Sequence, residues 1–371
     1  MPPIVVSDGP DSALIASEPR LMELLDALDA DARVAVDTEF LRERTYFPRL
    51  CLVQLAGQRV LGLIDTLASL ELAPLHRFLG ERRRTKVLHA AHQDLEIFAQ
   101  AARAVPGPIF DTQLAAGLLG HPPQIGFGDL VGRVLGVTLE KGHARTDWTR
   151  RPLSDAQLKY ARDDVRYLLP LADALAERLD KSGRSGWFAE DARAAEDLSL
   201  YVQDPATAWE RLTWVRSLSG ARRAAAQRIA AWREERALRL DRPRGWILSD
   251  VAISELIDRM PRSASDLGQL AELPPAVRSK CGSELLELIA KPDAGPATEA
   301  RDNSRLNPEQ MALVRRLSEE LKKVGKRLEL SPEVLATQKE LRALVRGERS
   351  LPVLSGWRRA AAGDALLSLV G

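Results

Sequence analysis

The sequence predicts an α/β domain built on a mixed sheet, followed by two all-α helical domains. In the first half, short apolar segments with strand character alternate with segments whose apolar residues recur at helical spacing. After about Tyr201, strand signals become sparse and helices rich in Arg, Ala, Leu and Glu dominate. The alternating part favours a mixed sheet with helices on both sides, and the later part favours helical bundles.

Strands are expected where short apolar runs are bounded by turn residues. One predicted strand begins at residue 34, and three others span residues 50–55, 60–64 and 86–89. Gly57, Gln58 and Arg59 lie between the second and third strands, which suits a hairpin. Helical periodicity covers residues 21–28, 95–102 and 153–179.

The chain length predicts more than one domain. A chain of 371 residues exceeds what one hydrophobic core usually serves, so two or three domains are expected. Asp204 and Pro205 open a helical block, and residues 291–296 have the Pro and Gly content of a linker. The predicted boundaries are 1–203 for the α/β domain, 204–292 for a helical domain, 293–305 for a linker and 306–371 for a second helical domain.

The composition is that of an ordinary globular protein, with 45% hydrophobic and 28% charged residues. No apolar run approaches the length of a membrane-spanning helix, and the first residues lack the basic region of a secretory signal. The two cysteines, Cys51 and Cys281, provide neither a disulfide framework nor a zinc-binding spacing. We therefore expect a cytoplasmic protein without membrane contact, and the sequence indicates no obligate protein partner.

Carboxylates and a tyrosine occur at three places that a fold could bring together. Asp37 and Glu39 lie two apart at the end of a predicted strand, so their side chains point to one face. Asp94 follows the fourth strand at a helix start, and Tyr160 and Asp164 share one helix face because they are four apart. Taken singly, these features also fit a solvated strand edge, a helix cap and a half-buried tyrosine.

Taken together, the four carboxylates favour a metal site. Clustered acidic side chains repel one another unless cations neutralise them, and Mg²⁺ and Mn²⁺ prefer such oxygen ligands. Two such ions form the clamp used for in-line attack on phosphodiesters. Tyr160, whose ordinary pKa is about 10, is expected to orient the attacking water rather than to remove its proton.

The amino-acid sequence around these residues resembles that of a known enzyme family. The segments that carry it are 36–41, 44–48, 88–90, 145–148, 151–153 and 160–170. They resemble ribonuclease D, in the tyrosine-bearing branch of the DEDD exonuclease superfamily, and the likeness covers residues from about 10 to 200. Trp209, Trp214, Ile229 and Trp232 carry a second likeness, to the helicase-and-RNase-D C-terminal (HRDC) domain. Residues 306–371 resemble a more divergent second copy.

The resemblance implies a fold, an activity and a site. It implies an RNase H-like exonuclease domain that trims RNA 3′ ends and releases nucleoside 5′-monophosphates, with tRNA precursors and other small structured RNAs as substrates. The cofactors would be two divalent ions, Mg²⁺ or Mn²⁺. Asp37, Glu39, Asp94 and Asp164 would be the metal ligands, with Asp37 bridging both ions, and Tyr160 would hold the nucleophilic water.

Six further residues are candidates for contact with the substrate. They are Phe40, Leu41, Gln54, His89, Arg145 and Trp148. Phe40 and Leu41 are expected to pack near the terminal base or, equally, in the core. For Gln54 the alternatives are the ribose and a backbone partner, and for Trp148 they are stacking and anchoring of its loop.

Net charge is +1, from 53 basic and 52 acidic residues, so the overall balance does not indicate a polyanionic partner. The first helical block nevertheless contains a run of arginines. Its members are Arg222, Arg223, Arg228, Arg233, Arg236, Arg239, Arg242 and Arg244. Such a run is usually a solvated helix face with salt bridges, and a face that follows RNA phosphates is the alternative.

Two other functions stay open at this level. A DNA exonuclease is one, because no motif here identifies the contacts to a 2′-hydroxyl that distinguish RNA from DNA. The polymerase module expected for proofreading is absent from the 371 residues, which disfavours that version. A catalytically inactive RNA-binding scaffold is the other, and the presence of all four acidic residues disfavours it.

Overall fold

The structure is a computed structural model that describes residues 14–140, 142, 146–292 and 306–371. The chain divides into two compact units. The first, which we call the sheet unit, comprises Met1–Leu41, Leu50–Tyr201 and Asn307–Gly371. The second, the helical unit, comprises Arg42–Arg49 and Val202–Leu306.

One mixed sheet forms the centre of the described part of the sheet unit. Its strands are β1 (Leu14–Ile15), β2 (Arg33–Leu41), β3 (Arg49–Ala56), β4 (Leu61–Asp65), β5 (Thr85–Leu88) and β6 (Ile109–Asp111). They lie in the order β1-β4-β3-β2-β5-β6. Strand β4 pairs parallel with β1 and antiparallel with β3, and β5 pairs parallel with both β2 and β6. Strand β2 therefore lies in the interior of the sheet, between β3 and β5.

The four predicted strands correspond to β2, β3, β4 and β5, and the predicted hairpin joins β3 to β4. The Gly57 N–H donates to the Val60 carbonyl at 2.9 Å. A Cβ at Gly57 would lie 2.0 Å from Asp31 Oδ2 and 2.5 Å from Leu28 Cδ2, so a larger residue would force these side chains to move. Strands β1 and β6 have two and three residues, too few to show an alternating pattern, and the sequence did not predict them.

Helices surround the sheet. They are α1 (Glu18–Ala27), α2 (Ala73–Gly80), α3 (His92–Ala102), α4 (Thr112–Leu118), α5 (Phe127–Leu135), α6 (Asp155–Arg166), α7 (Leu168–Lys181) and α8 (Ser185–Ala195). Helix α3 begins two residues before Asp94, which the sequence had placed at its start. The predicted helical stretch 153–179 is two helices that meet at Tyr167.

The core places helices α6 and α7 against the sheet. Ala35 of β2 packs in a buried cluster that includes Val165 of α6 and Leu168 of α7. A neighbouring cluster joins Leu63 of β4 to Ala161 of α6. Helix α6 thus lies across the interior strands, with its buried face set by residues four apart.

The helical unit is a bundle around one long helix. After short 3₁₀ turns at Pro205–Arg211 and Thr213–Ser217 come α9 (Gly220–Leu240), α10 (Arg244–Ile247), α11 (Asp250–Arg259), α12 (Ala264–Gly268) and α13 (Pro275–Ala290). The core contains Ile229, Ile253, Leu256 and Leu285, all of them fully buried. Burial of such apolar side chains is the main force that holds these short helices together.

The segment Arg42–Arg49 is fixed to the helical unit by a buried carboxylate. Glu234 of α9 is 1% exposed and accepts a hydrogen bond from the Tyr46 hydroxyl. It also pairs with Arg211 at 3.1 Å and with Arg244 at 2.9 Å. A buried charge is tolerated when it has such partners, so Glu234 ties three separate segments together. Burial, followed by the bond to Glu234, raises the pKa of Tyr46 to about 12.

The C-terminal helices belong to the sheet unit. They are α14 (Pro308–Leu328), α15 (Pro332–Leu335), α16 (Gln338–Val345), α17 (Gly356–Arg358) and α18 (Asp364–Val370), with a 3₁₀ turn at Pro352–Leu354 and a π-helical turn at Arg359–Gly363. None of the helices in the described residues is long and apolar enough to cross a membrane.

Polar contacts and stacked rings hold α17 against α8. The Trp357 ring stacks on Trp187 with centroids 4.4 Å apart, and the Trp357 indole N–H donates to Asp191 at 3.1 Å. Arg358 forms a two-point ion pair with the same carboxylate, of which the Nη2–Oδ2 distance is 2.9 Å. Asp191 is 9% exposed, so this charge depends on its partners.

We predict that Arg358→Ala lowers the free energy of unfolding by about 2–3 kcal/mol, because it leaves the Asp191 carboxylate buried without its cation. Urea unfolding of the full chain measures the change. Arg359→Ala is the matched control, because its ion pair with Asp364 is exposed on both sides (60% and 64%). That pair should contribute about 1 kcal/mol or less. Equal losses in both variants would contradict the importance of this contact.

Candidate active site

Three carboxylates converge on the C-terminal half of strand β2, which continues past Asp37 and Glu39 to Leu41 rather than ending at them as the sequence had suggested. Asp37, Glu39 and Asp164 each offer a carboxylate oxygen that lies within 4.8 Å of the others. Asp37 and Glu39 are two apart on β2, so both side chains point to the face on which Ala35 contacts helix α6. Asp164 comes from α6 itself. Residues 127 positions apart in the chain are thus brought together by the packing of one helix on one strand.

Asp94 joins this cluster from helix α3. It is 6% exposed, and the Thr38 hydroxyl donates a hydrogen bond to its Oδ1. Thr38 lies between Asp37 and Glu39 on β2 and is itself 6% exposed. The Asp37 carboxylate is close enough to Asp94 that repulsion between the two helps to raise the pKa of Asp94. Thr38 therefore fixes Asp94 relative to the strand that carries the other two ligands.

Tyr160 lies one turn before Asp164 on α6. Its hydroxyl is hydrogen-bonded to the Asp164 carboxylate, and burial together with that charge raises the pKa of Tyr160 above its ordinary value. The start of α6 is fixed by a reciprocal cap between Ser154 and Gln157. Trp148 packs behind Tyr160, with ring centroids 6.2 Å apart, and is 2% exposed.

The carboxylates of the cluster resist ionisation together. Burial raises the pKa of Glu39 to about 10, and the charges of Asp37, Asp164 and Asp94 add to this rise. Burial raises the pKa of Asp164 to about 7 in spite of the hydrogen bond from Tyr160. Burial and a neighbouring carboxylate also raise the pKa of Asp37 and of Asp94 well above the usual range. Such shifts mean that the ionised carboxylates are disfavoured unless positive charge is supplied nearby.

The charge is not supplied by side chains in the described residues. No Lys, Arg or His there forms an ion pair with Asp37, Glu39, Asp94 or Asp164, whereas the adjacent Asp163 lies 3.8 Å from Lys159 and 3.9 Å from Arg166. The donor set is all oxygen and acidic, which is the set that Mg²⁺ and Mn²⁺ prefer. The residues present therefore fit divalent cations.

An ion pair fixes the loop that leads into α6. Arg151 binds both carboxylate oxygens of Asp65, at 2.6 and 2.7 Å, and donates to the carbonyls of Cys51 and Trp148 at 2.8 Å. Burial alone would raise the pKa of Asp65, but the bonds from Arg151 hold that pKa below its usual value. The loop is thereby attached to the ends of β3 and β4 immediately before the helix that carries Tyr160 and Asp164.

The six candidates for substrate contact have different environments. Phe40 and Leu41 are partly exposed at the end of β2, beside Glu39. Gln54 is fully buried, and neither atom of its amide has a hydrogen-bond partner in the described structure. Trp148 is buried behind Tyr160, which favours the anchoring role over stacking. Arg145 lies outside the described residues.

His89 contacts protein through both ring nitrogens. Nδ1 lies 2.9 Å from the Thr112 hydroxyl, and Nε2 lies 3.0 Å from the Ile125 carbonyl. Only the carbon edges and the ring face are left for a substrate, and Phe127 lies 5.4 Å away, centroid to centroid. Contact between His89 and RNA stays a prediction.

Two positioning residues were not found from the sequence. Thr38 could have been recognised as a hydroxyl placed between two acidic residues of a strand. Asp111, at the end of β6, accepts from the N–H groups of Ala90 at 3.0 Å and Ala91 at 2.9 Å, and it also caps α4. It therefore fixes the turn that leads into α3 and Asp94. In the sequence, Asp111 is an Asp at a helix start that follows two apolar residues. This pattern is common in residues that only cap a helix, so it did not indicate a further role.

A strand and two helices that present four acidic side chains and a tyrosine define a protein of the 3′–5′ exonuclease class. Comparisons with known proteins agree: the 3'-5' exonuclease family matches residues 13–180, and the HRDC domain family matches residues 222–289. Ribonuclease D of Gluconacetobacter diazotrophicus is 37% identical over 372 residues, covering 97% of this chain and 93% of that protein. Ribonuclease D of Jannaschia sp. is 40% identical over 351 residues, covering 91% and 90%.

A solved structure is similar over the same length. The crystal structure of Escherichia coli RNase D, described as an exoribonuclease involved in structured RNA processing, has a TM-score of 0.87 and 30% identity. The match covers 97% of this chain and 98% of that chain. The chain belongs to the ribonuclease D family, and it is a 3′→5′ exoribonuclease with an HRDC domain, a module that binds nucleic acid. The expected family and fold class are confirmed.

We predict that Thr38→Val lowers the catalytic efficiency by about 10- to 100-fold, because valine keeps the shape of the side chain but leaves Asp94 unfixed. Steady-state hydrolysis of a short single-stranded RNA measures the change. Thr38→Ser retains the hydroxyl and should stay within a few-fold of the wild type. If valine and serine behave alike, the hydrogen bond to Asp94 does not position the site.

Proposed function

We propose that the chain trims the 3′ ends of structured RNAs, tRNA precursors among them, by two-metal hydrolysis that releases nucleoside 5′-monophosphates. The observation that carries the proposal is the set of carboxylates from Asp37, Glu39 and Asp164, whose ligand oxygens lie within 4.8 Å of one another. The relatives support RNA as the substrate class because they are ribonucleases. None of the relatives reported above is described as a DNA exonuclease.

Asp37, Glu39, Asp94 and Asp164 would hold two ions, Mg²⁺ or Mn²⁺. Bound there, divalent cations supply activation of a water and stabilisation of charge on the scissile phosphate. Thr38 orients Asp94 through its hydroxyl, and the Ser154 cap fixes the start of the helix that carries Asp164. Both contacts act before any substrate arrives, and such preorganisation is what makes a charged site effective.

Tyr160 would orient the attacking water through its hydroxyl oxygen. Its place one turn from Asp164, and its hydrogen bond to that carboxylate, support this role. A phenol with an ordinary pKa of about 10 stays protonated at neutral pH, so it can position a water but is poorly suited to removing its proton. Trp148, buried behind the tyrosine ring, would hold Tyr160 in this orientation.

Around the site, Phe40 and Leu41 are the proposed contacts to the terminal base, because they are partly exposed beside Glu39. Arg145 is the proposed phosphate contact of the loop before α6. Gln54 and His89 stay candidates for the ribose and the edge of the site. A cytoplasmic location is proposed from the two free, buried cysteines, a usage typical of reducing compartments.

For the domains, we propose 1–203 as the exonuclease, 204–292 as the HRDC domain, 293–305 as a linker and 306–371 as a second HRDC-like copy. The order of helix lengths supports the duplication. Helices α9 and α14 each have 21 residues, and α10 and α15 each have four. Helices α9 and α14 also end on left-handed residues, Asp241 at φ 46° and Glu329 at φ 54°.

Two adjacent residues of α6 provide the test. Asp164→Asn should lower turnover by more than about 100-fold, because loss of a ligand should exceed the effect of residues that only orient ligands. Asp163→Asn is the matched control and should stay within about twofold, because the Asp163 carboxylate pairs with Lys159 and Arg166 and is not proposed as a metal ligand. The substrate is a 5′-labelled RNA with a single-stranded 3′ extension, with products resolved to the nucleotide.

The wild type should shorten this RNA from its 3′ end and release 5′-monophosphates, and EDTA should stop the reaction. Binding of RNA in EDTA should survive in Asp164→Asn. Turnover near the wild-type rate in Asp164→Asn, or equal losses in the two variants, would contradict the proposed site.

A further inference from the structure

A buried amide lies in the middle of strand β3. Gln54 is fully buried, and neither its side-chain N–H₂ nor its side-chain carbonyl has a hydrogen-bond partner among the described residues. Its neighbours in the strand, Leu52, Val53, Leu55 and Ala56, are all buried and apolar. Burial of an amide without a partner is unfavourable, and an apolar side chain of similar size would be tolerated better. The amide is therefore expected to find a partner in at least one state of the protein.

The side chain of Gln54 points to the face of the sheet that helix α6 covers. Gln54 pairs with Leu63 of β4, and residues directly opposite each other in antiparallel strands share a face. Leu63 packs in a buried cluster with Ala161 of α6. Gly62, the residue before it, faces the other side of the sheet, because a Cβ there would lie 2.4 Å from Leu24 of α1. Gln54 therefore lies beneath α6.

Strand β2 brings Asp37 to the same layer. Residues 42–48 connect β2 to β3, too few for the crossover that parallel neighbours need, so these two adjacent strands run antiparallel. Ala35 of β2 and Ala56 of β3 belong to one buried cluster on the α6 face. Asp37 lies two residues further along β2, and Gln54 lies two residues back along β3. In antiparallel strands these two steps run in the same direction along the sheet, which places Gln54 beside Asp37.

The other polar groups described on this face are engaged elsewhere. Asp65 of β4 is bound at two points by Arg151, at 2.6 and 2.7 Å. The Asp164 carboxylate of α6 accepts a hydrogen bond from Tyr160. Asp37 is therefore the acceptor that strand pairing brings next to the buried amide.

We propose that Gln54 is a positioning residue for Asp37: its side-chain N–H₂ donates a hydrogen bond to the Asp37 carboxylate and leaves the other oxygen of that carboxylate to the cations. The inference rests on the proposed function and adds a residue to the proposed metal site. Forming the bond requires only rotation about side-chain torsions, because the two residues lie on hydrogen-bonded neighbouring strands. Hydrogen bonds of this kind orient a carboxylate ligand, and their loss weakens metal binding.

Gln54→Met tests the proposal, because methionine keeps the length of the side chain but has no amide. In EDTA, the midpoint of urea unfolding should equal or exceed that of the wild type, since the amide has no partner in the scaffold. The affinity of the full chain for Mn²⁺, measured by calorimetry, should fall by about 10- to 100-fold. Hydrolysis of a short RNA should be slower at low Mn²⁺ and recover toward the wild-type rate as the Mn²⁺ concentration is raised.

Gln113→Met is the matched control, because it makes the same exchange at an amide that has a partner. The Gln113 Nε2 group donates to the Ile125 carbonyl at 3.0 Å. Its loss should lower the urea midpoint and leave the Mn²⁺ affinity within about twofold of the wild type, because Gln113 contacts no proposed ligand. The two variants should thus change different measurements, which a general loosening of the fold would not do.

Mn²⁺ affinity of Gln54→Met within about twofold of the wild type would overturn the proposal, because loss of an orienting bond should cost more. So would a loss of hydrolysis that is the same at every Mn²⁺ concentration, the result expected if Gln54 contacts the ribose instead. A urea midpoint in EDTA below that of the wild type would show that the amide stabilises the scaffold, which also overturns it.

Gln54→Leu is the second variant if Gln54→Met does not fold, and failure of both to fold would assign the amide to the scaffold and overturn the proposal. Absence of Mn²⁺ binding by the wild type would overturn the proposed function and this inference with it. Wild-type binding of Mn²⁺ that Gln54→Met leaves intact would count against Gln54 alone.

Discussion

Uncompensated acidic side chains around the C-terminal half of strand β2 are the constraint on which the sheet unit depends. Four carboxylates are held together there, and burial, with repulsion from a neighbouring carboxylate, raises the pKa of each. Such an arrangement is unfavourable in the protein alone and is retained only where the surrounding fold enforces it. The interior position of β2, the Thr38 hydroxyl and the capped start of α6 provide that enforcement.

Other buried carboxylates of the chain show the contrast. Asp65 is bound by Arg151, Asp191 by Arg358, and Glu234 by two arginines and a tyrosine. These pairs tie separate segments together, as buried charges do when their partners are complete. The cluster around Asp37 lacks such partners in the described residues, and its all-oxygen, acidic donor set fits divalent cations. This difference, more than the number of acidic residues, distinguishes a metal site from structural ion pairs.

The sequence predicted the parts of the fold that have a local pattern. Strand β2 and the paired positions of Asp37 and Glu39 follow from the alternation of side chains, and Tyr160 and Asp164 follow from helical spacing. Short strands such as β6 carry too few residues for a pattern. Contacts across long separations have no local signal either: Tyr46 and Glu234 are 188 positions apart. The arginine run shows the same limit, because only coordinates separate Arg233, which is buried, from Arg239, which is exposed.

A crystal of the wild-type protein grown with Mn²⁺ and a nucleoside 5′-monophosphate tests directly whether the carboxylates hold two divalent ions, as proposed. Anomalous diffraction should show two Mn²⁺ peaks about 3.5–4 Å apart, coordinated by Asp37, Glu39, Asp94 and Asp164 and by the phosphate. If the nucleotide is bound but no Mn²⁺ peak lies within coordination distance of Asp37, the cluster is not the metal centre.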